Sequence, residues 1–322
     1  MGRLVWQRLA QAVPLLLAVS LVVFALLHAV PGGPLAAYLE NPNVRPEDLA
    51  RLSAALGLDR PLPEQYARWL GGFVRGDWGY SLADGRPVAA RLFERIPATL
   101  ELVAVSTVLA LALALPLGLR MATSPRAARL GTPLVIAGIS LPVFWLALVL
   151  QLVFGVALRW LPISGRMSFG ADALSDRLAH LVLPAVVLAV ANASAWSRYL
   201  QRAASDLLGE PWLLAARARG IPEWQLRWRH LLPPALGPFV TVVLLDVAVL
   251  MGGAVVTEGV FAWPGVGSLF VEALARRDYP VLMAFVMAGA TVVVIGNLAA
   301  DLAIATLDPR TRTLAAPARS TS

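Results

Sequence analysis

Apolar residues in this chain fall in long unbroken runs rather than in the alternating or striped patterns of soluble elements. The runs are Leu9 to Val30, Ala98 to Leu119, Thr132 to Ala157, Leu178 to about Ser197, Ala235 to about Val260, and Val281 to Leu307. Each reaches the length of about 20 apolar residues that a helix needs to cross the hydrocarbon of a bilayer. They predict an all-α integral membrane protein with six transmembrane helices. The first run is too long for a signal-peptide core and is followed by "PGGP" rather than a small-residue cleavage site, so it reads as a retained span.

The polar stretches divide the chain further. Residues 1–30 read as a cytoplasmic N-terminus and first span, and 31–97 as an extracytoplasmic region. Residues 98–307 read as a five-helix core containing a cytoplasmic segment at 198–234, and 308–322 as a cytoplasmic tail. Within 31–97, "PGGP", "GLDRPLP" and "ADGRP" mark turns, and "EQYARWLGGFVRG" suggests a short amphipathic helix near the membrane surface.

Charge fixes an expected orientation. The short loop Arg120 to Gly131 holds Arg120, Arg126 and Arg129 and no acid, and 198–229 holds six arginines against Asp206, Glu210 and Glu223. The tail has Arg310, Arg312 and Arg319 against Asp308, whereas the loops at 158–177 and 261–280 are close to balanced. With six spans, the arginine-rich segments share one face. The positive-inside rule makes that face cytoplasmic, with both termini on it.

Composition then removes whole classes of chemistry. The chain has 322 residues, 58% hydrophobic and only 15% charged, against about 25% charged in ordinary soluble domains. Its net charge of +7 comes from arginine alone, since there is no lysine. A Walker A loop and a Schiff-base lysine are therefore excluded. Without cysteine there are no disulfides and no thiolate chemistry. His28, His180 and His230 stand far apart and form no H-E-x-x-H pair. Arginines beside spans set orientation, so the basic balance does not indicate nucleic acid.

One segment does not fit a simple span-and-loop plan: "ARARGIPEWQLRWRHLLP", Ala216 to Pro233. Ser205 to Arg219 predicts one helix, whose alanines 215, 216 and 218 leave a low surface. Gly220 permits a left-handed turn, Pro222 suits the first turn of a second helix, and Glu223 favours the positive end of its dipole. Pro233 and Pro234 predict that this helix stops near Leu232. Trp224, Trp228, Leu231 and Leu232 would share a face, with Leu226 off it. These residues leave two readings open: an interfacial helix anchored by tryptophan and arginine, or a docking site for a soluble partner.

The segment resembles the cytoplasmic coupling motif of ABC importer permeases, in which two alanines precede a glycine and a leucine-proline closes the unit. Ala215, Ala216, Gly220 and Leu232-Pro233 occupy those places, while Leu214 stands where many members have glutamate. "ARARGI" is similar to the peptide-permease branch. So are "LGLDRPLPEQYARWL", "GDWGYSL", "RPVAARLFERIPATLEL", "GGAVVTEGVFAWPGVG", "RRDYP" and "NLAADLAIATLDPRTR", which together cover most of the chain. The chain is identified as a B-type member of the dipeptide/oligopeptide/nickel ABC-transporter permease subunits.

That resemblance implies a type I ABC importer fold and a non-catalytic membrane subunit. Its partners would be a C-type second permease, two ATPase subunits and an extracytoplasmic substrate-binding protein, embedded in membrane lipid. It implies no cofactor in this chain, since ATP and magnesium would bind the ATPases. Ala215, Ala216, Arg217, Ala218, Arg219 and Gly220 would couple to the ATPase. Among polar residues in spans, Asp246 and Glu258 are candidates for the translocation path. Asp246 has a second reading as a paired or protonated structural group, and Glu258 as a brace for the loop after it. Asn192, Ser194, Asn297 and Asp301 read as interhelical hydrogen bonds, and Trp263-Pro264-Gly265 as a tight turn at the outer interface. The rival reading is a stand-alone secondary transporter, which would ordinarily show inverted repeats; none is evident.

Overall fold

The computed structural model describes residues 2–30, 57–170, 173–251 and 254–307, with scattered positions between 35 and 54. Most of the stretch 31–56, residues 252–253 and the expected tail 308–322, with its arginines, lie outside the described residues.

Four of the six apolar runs become helices longer than the runs themselves. In chain order, α1 is Gly2–Ala29, α2 Leu62–Val74, α3 Val88–Thr123, α4 Pro125–Ser140 and α5 Val143–Leu150. A wider π-type turn, Gln151–Ala157, extends α5. After a loop, α6 is Leu174–Asp206 and α7 Pro211–Ala218; α8 is the single turn Glu223–Gln225, and a second π-type stretch, Leu226–Leu231, leads into α9, Leu232–Met251. Last come α10 (Val255–Val260), α11 (Val266–Ala275) and α12 (Tyr279–Leu307). Among the described residues, five helices are long and apolar enough to cross a membrane, and the bent pair α4–α5 supplies a sixth crossing if it is one span.

Two expected spans differ from the hydropathy reading. The run Thr132 to Ala157 is not one helix, because the chain bends by 99° between Ser140 and Val143. Pro142 is the cause: the residue before a proline is pushed out of the helical region, and Leu141 sits at φ −71°, ψ 125°. The run Ala235 to Val260 ends as a span at Met251, and Val255–Val260 is a separate short helix.

The core is built on α3 and α6, which run parallel. Glu101 of α3 meets Arg177 of α6 near one end. Near the other, Gly118 faces the Ser197 carbonyl so closely that an added Cβ would lie 2.9 Å from it. Membrane helices associate through such small residues because lipid offers no hydrophobic driving force between them. The same device holds α4 on α6, where a Cβ at Gly138 would fall 2.1 Å from Ser194 Oγ, and α12 on α9 through Gly296 and Ala248. α1 runs antiparallel to α12 and is tied to it by Arg8, whose Nε lies 2.6 Å from Asp301 Oδ2. α2 lays Tyr66 and Trp69 against Phe24 near the far end of α1, as expected of a short amphipathic helix at the membrane surface.

These directions give the bundle two chemically different ends. One end gathers the start of α1, the ends of α3, α6 and α12, and the elbow between α6 and α9. There Arg120, Arg126, Arg129, Arg198, Arg202 and Arg229 have no ion-pair partner among the described residues. The opposite end holds α2, α10, α11 and the starts of α3 and α6, and there arginines are mostly paired, as in Arg86–Glu94, Arg95–Glu272 and Arg166–Glu101.

Candidate functional site

The elbow is two helices rather than one. The expected continuous helix from Ser205 to Arg219 stops at Asp206 and restarts at Pro211. Glu210 is extended, at φ −65°, ψ 134°, as the residue before a proline prefers, and Pro211 then opens α7, where its missing N–H costs nothing. α7 is firmly seated: Leu213 and Ala216 are buried with Leu119, Leu200, Leu226 and Leu231 in one cluster. Its other face, with Leu214, Ala215, Arg217 and Ala218, is exposed. Ala216 thus anchors the helix, whereas Ala215 and Ala218 form the low outer surface.

Gly220 ends α7 as its position predicts, at φ +76°. Its N–H donates to the Arg217 carbonyl at 2.9 Å, and Arg219 N–H donates to the Ala215 carbonyl at 3.2 Å. No atom lies within 4 Å of the place a Cβ would take, so the glycine is required by its backbone angle and not by crowding. Arg217 Nε lies 3.4 Å from Glu223 Oε1 across the bend.

The second arm departs from expectation in an informative way. It does not stop at Leu232: Glu223–Met251 is one continuous rod through Pro233 and Pro234. A proline in a regular helix loses a hydrogen bond and collides with the carbonyl four residues back. The π-type stretch Leu226–Leu231 widens the turn immediately before the prolines, which relieves that collision. The wider turn also changes the buried face. Leu226 and Leu231, five apart, are both fully buried, whereas Trp224 and Trp228 are 57% and 44% exposed. The anticipated tryptophan stripe is therefore outward, and Leu226 belongs to the core. The elbow is consequently fixed at both arms to spanning helices, with an exposed surface of small, aromatic and arginine side chains between them.

Deeper in the bundle, Asp246 of α9 is partly buried and accepts a hydrogen bond from Trp196 Nε1 at 2.7 Å. Trp196 is itself fully buried, so the carboxylate is held in a set direction. Asn192 and Ser194 do not bridge helices: they donate to the Leu188 and Val190 carbonyls of their own helix at 2.9 and 2.7 Å. Asp301 does make the expected interhelical contact, through Arg8.

At the opposite end Glu258 is a brace. Its carboxylate is fully buried and accepts from Thr99 Oγ1 at 2.7 Å and from Ser268 N–H at 3.0 Å. A Cβ at Gly265 would lie 2.3 Å from its Cδ, so the glycine of "WPG" makes room for the acid. Burial raises the carboxyl of Glu258 above the ordinary glutamate range, against the lowering effect of those hydrogen bonds. Trp263 forms the expected turn but as a core residue, not an interfacial one; its Nε1 donates to the Ala98 carbonyl at 2.8 Å. Sequence reasoning missed a buried cluster at the same end. Asp278 is fully buried, accepts from Ser81 and from Leu82 N–H, and faces Arg91 NH1 at 3.3 Å. Arg91 also lies 3.4 Å from Asp84.

Comparison with known proteins agrees with this architecture. Residues 94–313 match the model of the binding-protein-dependent transport system inner membrane component, and residues 1–103 match its N-terminal counterpart. The chain belongs to this family. The permease is 36% identical to the oligopeptide transport system permease protein AppB of Bacillus subtilis, over 96% of this chain and 99% of the relative. It is 32% identical to the dipeptide transport system permease protein DppB of Escherichia coli, over 97% and 99% of the two chains. It is 34% identical to the glutathione transport system permease protein GsiC of Salmonella paratyphi A, over 96% and 98%. In fold it is similar to a chain of the inward-facing MetNI methionine ABC transporter, with a TM-score of 0.54 and 18% identity, covering 69% of this permease and 98% of that chain. A second crystal form of the same transporter gives 0.56 and 21% over the same shares. The permease is a multi-pass membrane protein and the membrane component of a binding-protein-dependent transporter.

Proposed function

We propose that this permease forms half of the translocation pathway of an ATP-driven importer of di- and oligopeptides or close derivatives such as glutathione. It would work beside a C-type second permease, two ATPase subunits that bind ATP and magnesium, and an extracytoplasmic binding protein. The named cargoes of its relatives support the substrate class, since oligopeptides, dipeptides and glutathione share amide bonds and free amino and carboxyl groups. The uncompensated arginines at the elbow end support a cytoplasmic placing of that end, with both termini on it.

One observation carries the mechanism: an exposed elbow, bent at a left-handed glycine, is locked by buried leucines to α6 and α9. A push on Ala215, Arg217, Ala218, Arg219 and Gly220 is transmitted through buried Leu213 and Ala216 as a movement of both spans. The division of labour is testable by reconstitution. ATP-dependent peptide uptake is expected only when both permeases, the ATPases and the binding protein are present. Gradient-driven uptake by the chain alone would instead establish the secondary transporter.

Asp246 is the proposed contact for the peptide ammonium within the path. Asp246→Asn keeps an oxygen for Trp196 and removes the charge. Loss of a charge-assisted contact of about 1.5–3 kcal/mol corresponds to roughly 10- to 100-fold weaker handling of the cation. Uptake measured against peptide concentration should show a higher KM for a free-amine peptide than for its N-acetylated form relative to wild type. Equal effects on both peptides would leave Asp246 as a structural partner of Trp196 only.

A further inference from the structure

On an exposed side of the bundle, α3, α4 and α6 flank an open groove of about 370 Å³. Leu113, Pro116 and Leu117 line it from α3, Leu134 from α4 and Val190 from α6, and Arg120 stands at its mouth. The one hydroxyl on its wall, Ser194 Oγ, is already spent on the Val190 carbonyl. Arg120 apart, no polar side chain on its wall is left to recognise a peptide. Leu134 is 70% exposed.

The groove has the proportions of one lipid chain. Leu113 and Arg120 are seven residues apart on α3, so the groove runs about 10 Å along the helix. That is most of one leaflet's share of a hydrocarbon core about 30 Å thick. At its mouth Arg120 is exposed, and Arg126 and Arg129 at the start of α4, at the same end of the bundle, are exposed too; none of the three has a hydrogen-bond or ion-pair partner among the described residues. Basic sites between membrane helices, over an apolar slot, suit anionic headgroups. A second permease is a poorer occupant. Interfaces between membrane helices favour small residues, and here those residues, Gly118 and Gly138, are turned inward to α6.

We propose that an anionic phospholipid of the leaflet at the elbow end seats here, one acyl chain in the groove and its phosphate on Arg120, with Arg126 and Arg129 adding to the positive charge of that end. The site is continuous with the proposed moving parts, since Val190, Ala193 and Ser194 lie on α6 only turns from the elbow. A lipid held there would fill the gap between α4 and α6.

The test uses the full chain, purified with the transporter subunits that accompany it and placed in phosphatidylcholine nanodiscs. These carry either phosphatidylglycerol or phosphatidylcholine with a photoactivatable acyl chain. After irradiation, adducts are mapped by mass spectrometry. Phosphatidylglycerol adducts should concentrate on the peptides containing Leu113–Leu117 and Leu134, well above those of phosphatidylcholine. Arg120→Gln, Arg126→Gln and Arg129→Gln should each lower that preference by about fivefold, the factor that roughly 1 kcal/mol per basic charge represents. The arginines are exposed, so these variants should fold, which the thermal midpoint of the complex checks. Leu134→Trp should fill the slot and lower adducts of both lipids. Equal labelling by the two lipids, adducts spread evenly over the bundle, or cross-links from Leu134 to a second permease chain would each overturn the proposal.

Discussion

Gly220→Val should abolish coupled uptake while leaving the spanning bundle folded. At φ +76° a β-branched residue is opposed by its own backbone. The left-handed conformation costs an ordinary residue roughly 1–2 kcal/mol. The surrounding space is open, so the strain is not relieved by moving neighbours, only by turning the elbow. Turning it would shift α7 relative to the π-type stretch while Leu213, Leu226 and Leu231 still hold the base, so the outer surface is what distorts. Gly220→Asn separates the two possible causes, because asparagine tolerates the left-handed region better than other side chains. If backbone shape is what the ATPase reads, the asparagine variant should retain most uptake and the valine variant little. If the bare surface is what matters, both should lose it. The measurement is peptide uptake together with ATP hydrolysis in reconstituted vesicles. Uptake at the wild-type level in Gly220→Val, with a normal thermal midpoint, would end the account of the elbow as the coupling element.

The parts of this fold that were legible in sequence are those set by single residues or by bulk transfer to lipid. Apolar runs located the spans because a buried backbone in hydrocarbon has few options other than helix. Gly220 announced its own turn because few other residues accept that angle. The family motif around Ala215 to Gly220 located the elbow. What hydropathy could not convey was direction. Thr132 to Ala157 is apolar throughout, and the bend at Pro142 leaves its transfer energy unchanged. Pro233 and Pro234 predict a stop because the rule concerns a regular helix; the widened turn before them is a cooperative adjustment with no residue signature of its own. That same widening brought Leu226, expected off the stripe, onto the buried face with Leu231 and left Trp224 and Trp228 outside it, since a 3.6-residue period no longer applied. Glu258 looked like a charge in or near a span, and only the packing showed Thr99, Ser268 and Gly265 closing around it.

The Arg91–Asp278 pair was invisible for a different reason, and it supports the second strong expectation. The two residues are 187 positions apart, and each alone looks like an ordinary loop or helix-end charge. Folding buries both, with Arg91 9% exposed and Asp278 fully enclosed. Arg91→Met should therefore be severely destabilising, because it leaves a buried carboxylate to Ser81 and the Leu82 N–H, with no cation facing it at 3.3 Å. Breaking one partner of a buried pair costs about 3–5 kcal/mol, whereas replacing the whole pair is often neutral. The single variant should lower the thermal midpoint of the detergent-purified complex sharply. Arg91→Met combined with Asp278→Asn should recover much of the loss, since asparagine can still accept from Ser81. The loop 79–88, α3 and the turn between α11 and α12 all meet at this pair, so its loss should also loosen the end where the proposed binding protein delivers peptide. Uptake in Arg91→Met should accordingly require a higher binding-protein concentration, and the double variant should restore the wild-type requirement. A midpoint unchanged in the single variant, or a double variant no better than the single, would show that the charges are not coupled. The elbow and this pair would then differ in kind: the elbow transmits motion because it is exposed and stiff, and the pair fixes a receiving surface because it is buried and matched.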